Sequence, residues 1–320
     1  MIKRVCDYLM QMLNSCREFG FLITYKLYVK DRLQGKTPNE RDLLISEDVS
    51  AYFWKHYSFV MEERIPNDDK KSSFNVVPNS PIWLFWWQGI DSMPDIVKTC
   101  YRSICNHAPS NHSVVLLTKD NYGEYSDLPQ FIINRMEDGL ISLAHFSDVL
   151  RANLILHHGG IWLDATVYVS KPISPSWFDM EFFSLIPYFR GEKYKGYSWS
   201  CFAWGGKKGC PVFYYLYSFY LQYLKDHKMF ITYLWQDDFV KMLYNHYPEI
   251  KKIIDKGSIE VHQLFEMQQI LGDEYNPETF ERLCKEEAFH KLTYKRGNVK
   301  GNGYMTLYEY LIKDNSNHES

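Results

Sequence analysis

The chain has 320 residues, 46% of them hydrophobic and 17% aromatic, enough for one large domain plus an appendage. Its 36 basic residues against 39 acidic ones leave a net charge of -3, which offers no general attraction for nucleic acid. The seven cysteines (Cys6, Cys16, Cys100, Cys105, Cys201, Cys210 and Cys284) are odd in number and form no CxxC pair, so neither a disulfide framework nor a zinc site is expected and a reducing compartment fits best.

Residues Met1–Leu33 read as helix, with Leu9, Met12, Leu13, Phe19, Leu22, Ile23 and Leu27 interspersed among Lys3, Arg4, Arg17, Lys26, Lys30 and Arg32. Two readings stand: a surface helix packed on the main domain, or a basic amphipathic element lying on anionic lipid. The opening MIKRVCDYLM lacks the apolar core and small-residue cleavage site of a signal peptide. A second helical stretch, Glu40–Glu63, ends before Ile65-Pro66, and Asn67–Ser73 has the composition of a linker. Residues 1–73 are therefore expected to form an N-terminal helical region with its linker, and residues 74–320 the main domain.

Within that domain Ile82–Trp87 is a compact buried-strand pattern followed by Gln88-Gly89. Met93–Ala108 predicts a helix and Ser113–Leu117 a second strand. Asn121–Tyr125 and Pro129–Gly139 lead into a further helix, for which Ser147 is a candidate cap and which runs to His158 before Gly159-Gly160 stops it. Ile161–Val169, short and rich in branched residues, reads as one buried strand. Strands alternating with helices predict an α/β layered domain with a largely parallel sheet, with a nucleotide at the carboxyl ends of the strands. Beyond Pro172 the chain is dense in aromatics, including Trp177, Trp199, Trp204 and Trp235. No run approaches the ~18–20 apolar residues of a membrane span. The nearest, Pro211–Leu224, is too short and too rich in tyrosine, so a soluble, cytoplasmic chain is expected, with at most peripheral contact with the inner face of a membrane.

Chemistry concentrates in His145–Val169, HFSDVLRANLILHHGGIWLDATVYV. Asp148 and Arg151 are three apart and share a helix face. As a surface ion pair they would be worth a few tenths of a kcal/mol; as a site, the arginine would keep the acid ionised to accept two hydroxyls. Asp164 ends the apolar strand, where burying a carboxylate costs several kcal/mol unless it faces a cation or donors. It either caps a nearby helix or faces a ligand, and a metal-bound phosphate would satisfy it.

The order S-D-x-x-R, then G-G, then hydrophobic-D-x-(D/T) resembles the sugar-donor region of DXD glycosyltransferases. It is most similar to the bacterial capsular polysaccharide synthesis proteins, whose version often reads W-(L/I)-D-A-T; Golgi mannosyltransferases and glucosylating toxins are more distant. The resemblance runs from Val76 to the C-terminus. It implies a GT-A, Rossmann-like nucleotide-sugar-binding domain that transfers a hexose, first of all from a UDP-sugar, to a growing and lipid-linked surface glycan with retention of configuration. It also implies Mn²⁺ or Mg²⁺ at Asp164 and Thr166. Because Thr166 stands where the pattern usually has a second acid, it offers only a neutral oxygen, and metal is expected to bind mainly together with the donor. Asp148 would hold the sugar hydroxyls, Arg151 the sugar or diphosphate, and Gly160 would leave room for the donor.

Three further positions follow from the resemblance. Trp86 occupies a strand end where an aromatic ring stacks on the base; ordinary core packing is its alternative, and alternation turns it away from Trp83 and Trp87. Asp237, in TYLWQDDFV, is a candidate near the acceptor hydroxyl or else a solvated helix-start acid. In FHKLTYK, Lys291 would offset diphosphate charge and His290 would be an additional metal ligand, although a lone histidine is usually structural.

Two other classes compete. A phosphohydrolase would use Asp164 as nucleophile and the Asp237-Asp238 pair to hold Mg²⁺, although about half the chain precedes Asp164, whereas that motif normally opens its domain. An inactive carbohydrate-binding protein would use the aromatic wealth but leave Asp148, Arg151 and Asp164 unexplained.

Overall fold

A computed structural model describes residues 2–30, 33–62, 77, 79–189, 192–193, 196–295, 301 and 303–314. The linker read at Asn67–Ser73 lies outside the described residues. Helix α1 (Ile2–Phe19) stops at Gly20, whose φ of 89° breaks the run, and the chain resumes as α2 (Phe21–Tyr25) and a π-helical turn at Lys26–Lys30. Helix α3 (Pro38–Tyr57) starts two residues earlier than the periodicity suggests. Thr37 and Glu40 form a reciprocal capping box, with Pro38 in the first turn. It is no appendage: Val49, Phe53 and Tyr57 are buried, and Phe53 meets Phe219 edge-on at 4.9 Å.

A seven-stranded mixed sheet forms the centre, in the order β2-β1-β3-β7-β5-β6, with β8 also on β5. Strand β1 (Ile82–Phe85) pairs in parallel with β2 (Val114–Leu117) and β3 (Gly160–Leu163). Strand β7 (Ala203–Gly206) then runs antiparallel between β3 and β5 (Phe182–Phe189). The short β6 (Glu192–Lys193) pairs antiparallel with β5, and β8 (Ser258–Val261) parallel to it. Side-chain alternation separates the two faces. Trp83, Trp162 and Trp204 stand in register on one face, beneath α6 (Leu143–His158), α7 (Pro211–Asp226) and α8 (Trp235–His246). Ile82, Leu84, Ile161 and Leu163 line the other, with Ile104 of α4 (Asp95–His107), and α5 (Gln130–Glu137) leads on to α6. This is an α/β domain of GT-A-like, Rossmann type with a parallel core and N-terminal helices.

Two expectations are corrected. The helix expected after a Ser147 cap begins five residues sooner, because Ser142 is the extended residue that accepts the His145 N–H at 3.2 Å. Ser147 lies inside α6 and donates to the Ala144 carbonyl at 2.7 Å. The strand read over Ile161–Val169 is two strands. After β3 the chain turns at Asp164–Thr166, where the Val167 N–H meets the Asp164 carbonyl at 2.9 Å. It then leaves the main sheet as β4 (Val167–Val169), which pairs with β9 (Phe289–Lys291). The turn places Asp164 at the open end of the parallel strands.

Candidate functional site

A cavity of about 480 Å³ opens at the carboxyl ends of β1 and β3, where open α/β sheets receive ligands. One wall is Phe85 to Gln88, leaving β1. The floor is Ser147, Asp148 and Arg151 of α6 with Trp162 and the Asp164–Thr166 turn. Tyr233, Leu234 and Gln236 close it from the start of α8, and Tyr294 from the segment after β9.

Three charged side chains, Asp148, Arg151 and Asp164, line it, and a fourth, Lys291, joins them through Asp164. Arg151 meets Asp148 at 2.8 Å and Asp164 at 3.7 Å, and Lys291 meets the other oxygen of Asp164 at 3.0 Å. The side chains of Arg151 and Asp148 are only 5% and 10% exposed, which removes the surface-pair reading. Arg151 also donates to the Ser147 carbonyl at 3.3 Å, to the Ser147 hydroxyl at 3.2 Å and to the Cys201 carbonyl, while its guanidinium lies over Trp162 at 4.8 Å. With so many donors committed inside the protein, Arg151 fixes both acids in place.

The two acids are tuned apart. Burial pushes Asp148 up to about 6, against the pull of Arg151 and with the help of Asp164. Burial acts on Asp164 as well, but Lys291 and Arg151 outweigh it and hold this carboxyl below the usual range. Trp162 adds an indole N–H to Asp164 at 3.0 Å. Asp164 is thus the stably ionised acid of the pair.

The remaining sequence candidates separate. Trp86 is half-buried in the cavity wall, edge-on to Tyr294 at 5.5 Å, and its indole nitrogen has no partner among the described residues. Trp87 lines the same cavity. The strict alternation expected for Trp83, Trp86 and Trp87 ends with the strand at Phe85, so neighbouring rings can share one wall. Thr166 belongs to the wall too, its hydroxyl accepting from Lys291 at 2.6 Å.

Gly160 does not reach the cavity. It lies at the opposite end of β3 from Asp164, with φ of 101°, and a Cβ there would stand 2.2 Å from the Pro81 carbonyl oxygen. Its bareness serves the close approach of backbones, not room for a donor. His290 is also not brought to Asp164. It alternates with Lys291 on β9, so it points to the other face, where Nε2 meets the Ser170 hydroxyl at 3.0 Å. Burial pushes it down to about 4.

Asp237 is not a solvated helix-start acid. It is 3% exposed, lies behind the cavity wall beside Gln236, and accepts the Trp199 indole N–H at 3.1 Å. Burial, then Asp238 and Asp148, push it up to about 7. Asp238 accepts from Tyr197 at 2.7 Å and Thr232 at 2.9 Å. With both acids behind the wall and bound to neighbours, the pair does not face Asp164 across the cavity, as a phosphohydrolase would need.

Gln236, Trp162, Cys201 and Tyr233 escaped the sequence reading. Gln236 takes the Tyr220 hydroxyl at 2.6 Å and supports the Asp148 charge. Its signal was its place directly before Asp237, as Trp162 stands two before Asp164.

The divalent ion implied by the resemblance does not fit the donor set. Both Asp164 oxygens already face cations or donors, the Thr166 hydroxyl faces Lys291, and His290 turns away. Among the described residues no group of three or more His, Cys, Asp or Glu side chains is placed to hold a metal. No curated protein matches the chain. The profile of the capsular polysaccharide synthesis proteins matches residues 26–311, which span the sheet and every wall of the cavity, and the chain belongs to that family.

Proposed function

We propose that the protein is a glycosyltransferase of capsular polysaccharide synthesis, moving a hexose from a nucleoside diphosphate sugar, UDP-hexose first, onto a growing surface glycan. The observation that carries this reading is the Asp148–Arg151–Asp164 set lining an aromatic-walled cavity at the carboxyl ends of parallel strands, with Lys291 bonded to Asp164. A nucleotide sugar has three parts, and the cavity with the lysine bonded to its Asp164–Thr166 turn has a counterpart for each. Trp86 and Trp87 present ring faces and edges to a base. Lys291 presents an ammonium to a diphosphate. Asp148, held by Arg151, accepts sugar hydroxyls.

Arg151 acts as a positioning residue. The resemblance implies retention of configuration, and among the described residues the only other carboxylate lining the cavity, Asp148, is held by Arg151 and not free to serve a double displacement. We assign the acceptor's proton to the leaving diphosphate. Asp237 acts from behind Gln236, through Asp148. The acceptor is proposed to be lipid-linked, and α1, which carries exposed Val5, Leu9 and Leu13, is proposed to rest on the anionic inner face of the membrane.

Incubation with a panel of UDP-hexoses, without acceptor, tests the reading through slow UDP release. Sugar binding without turnover would assign the cavity to a lectin-like role, and phosphate release from simple phosphoesters to a hydrolase.

A further inference from the structure

The turn between β3 and β4 has a single acid, and a lysine occupies the position from which a cation would serve it. Lys291 Nζ stands 3.0 Å from Asp164 and 2.6 Å from the Thr166 hydroxyl. Strand β9 fixes its backbone, through the pairing of Lys291 with Val167 and an N–H bond to Leu264 at 2.8 Å. The ammonium also lies over the Phe202 ring at 5.0 Å, and its side chain is 17% exposed. An ammonium has three donors. Two are directed to Asp164 and Thr166, which leaves the third for an incoming phosphate oxygen.

Charge balance favours the same arrangement. Asp148 and Asp164 are matched by Arg151 and Lys291. A second acid at position 166 would leave the set one charge negative, the condition in which a divalent ion is required. With threonine there the set is neutral, and a divalent ion at Asp164 would meet the Lys291 ammonium already 3.0 Å from that carboxylate.

We propose that Lys291 takes the place of a divalent cation: it binds the diphosphate of the donor directly, so nucleotide binding and sugar transfer are independent of metal. This rests on the nucleotide-sugar reading above. In the step itself the bond between the sugar C1 and the β-phosphate oxygen breaks, its electron pair leaving on that oxygen. The acceptor hydroxyl oxygen, or water when no acceptor is present, bonds to C1, and its proton passes to the departing diphosphate. Lys291 meets the charge that grows there, held in position by Asp164 and Thr166.

Calorimetric titration of UDP and GDP into the full chain, in EDTA and again in Mn²⁺, tests this. One of the two nucleotides should bind with the same affinity, within about threefold, in both buffers. Lys291→Ala should weaken binding in EDTA by about tenfold or more, while Lys291→Arg retains most of it. UDP release from the preferred UDP-hexose should likewise persist in EDTA. Binding seen only with Mn²⁺, or a folded Lys291→Ala chain with unchanged affinity, would overturn the proposal. Failure of both nucleotides in both buffers would instead defeat the nucleotide-sugar reading beneath it, a result that Mn²⁺ cannot rescue and that is therefore distinct from a metal requirement. The wild-type comparison needs no variant to fold.

Discussion

At the residue scale, the two acids of the cavity answer differently to substitution. Asp164 is partly open, with a 31% exposed side chain, so Asp164→Asn keeps the fold while removing the charge that seats Lys291 and Arg151. UDP release should fall by about 10²–10³-fold with little change in Tm; full activity in a folded variant would detach Asp164 from the chemistry. Arg151 is the opposite case. Truncating it leaves Asp148 buried without its partner, a change that typically costs about 3–5 kcal/mol, so Arg151→Ala should lower Tm as well as activity. Thermal unfolding of the two variants side by side separates these outcomes. The identities of Asp148, Arg151 and Asp164 were legible because an acid, a base and a glycine break recur in a fixed order within an apolar run. Their burial was not, since nothing in a spacing of three says whether a helix face meets solvent or a cavity. Trp162 and Gln236 were marked only by their place beside acids: an apolar residue in a strand and an amide at a helix start have ordinary uses, and only the fold directs them toward Asp164 and Asp148.

At the scale of elements, the start of α8 stores an electrostatic cost. Asp237 and Asp238 are adjacent, buried and raised to about 7 and about 6, burial being the first cause for each. In the unfolded chain both titrate near the ordinary aspartate value of about 3.9. Between those values the folded state holds more protons, so the stability these acids contribute is present at low pH and is lost as pH rises through about 6 and 7. Asp237→Asn, which keeps the shape and removes the titration, should therefore show a flatter fall in Tm from about pH 5 to about pH 7.5 than the wild type. Parallel curves would show that Asp237 does not titrate in that window. Glycines give a second contrast within elements. Gly139 and Gly160 both have positive φ, of 70° and 101°, but only Gly160 has backbone within contact of a built Cβ. Gly139→Ala should cost about 1–2 kcal/mol from the left-handed conformation alone. Gly160→Ala should do far more harm, because β3 cannot then lie beside Pro81; comparable melting temperatures for the two would refute that crowding. The sequence marked Gly159-Gly160 as a helix stop, and it is one, but the reason for a second glycine is a sheet contact with a residue 79 positions upstream.

For the whole molecule, the α/β alternation from Ile82 to Leu163 was readable because each strand is a short apolar run and each helix has its own period. The insertion of β7 between β3 and β5 was not, since pairing order depends on contacts remote in sequence. The aromatic stretch 211–224, the nearest the sequence comes to a membrane segment, becomes α7, packed into the core against the sheet through Phe213, Phe219 and Tyr223. No helix among the described residues is long and apolar enough to cross a membrane. The N-terminal helices divide along the same line. Phe19 and Ile23 join the core, whereas Val5, Leu9, Met10 and Leu13 on α1 are 46–60% exposed and Phe21 and Leu22 are 73% and 70% exposed. Such exposed apolar residues are what a surface-lying helix offers to lipid, and Arg17 in the same helix suits an anionic headgroup layer. The protein should co-sediment with vesicles containing anionic lipid, less so at high salt. Replacing Leu9 and Leu13 together by Asp should reduce that binding by about tenfold or more. UDP release in solution should be unaffected, because α1 has no part in the cavity walls. Vesicle binding that survives the double replacement would move the membrane contact elsewhere. Concentration-dependent association without vesicle binding would give these residues to a second copy of the chain.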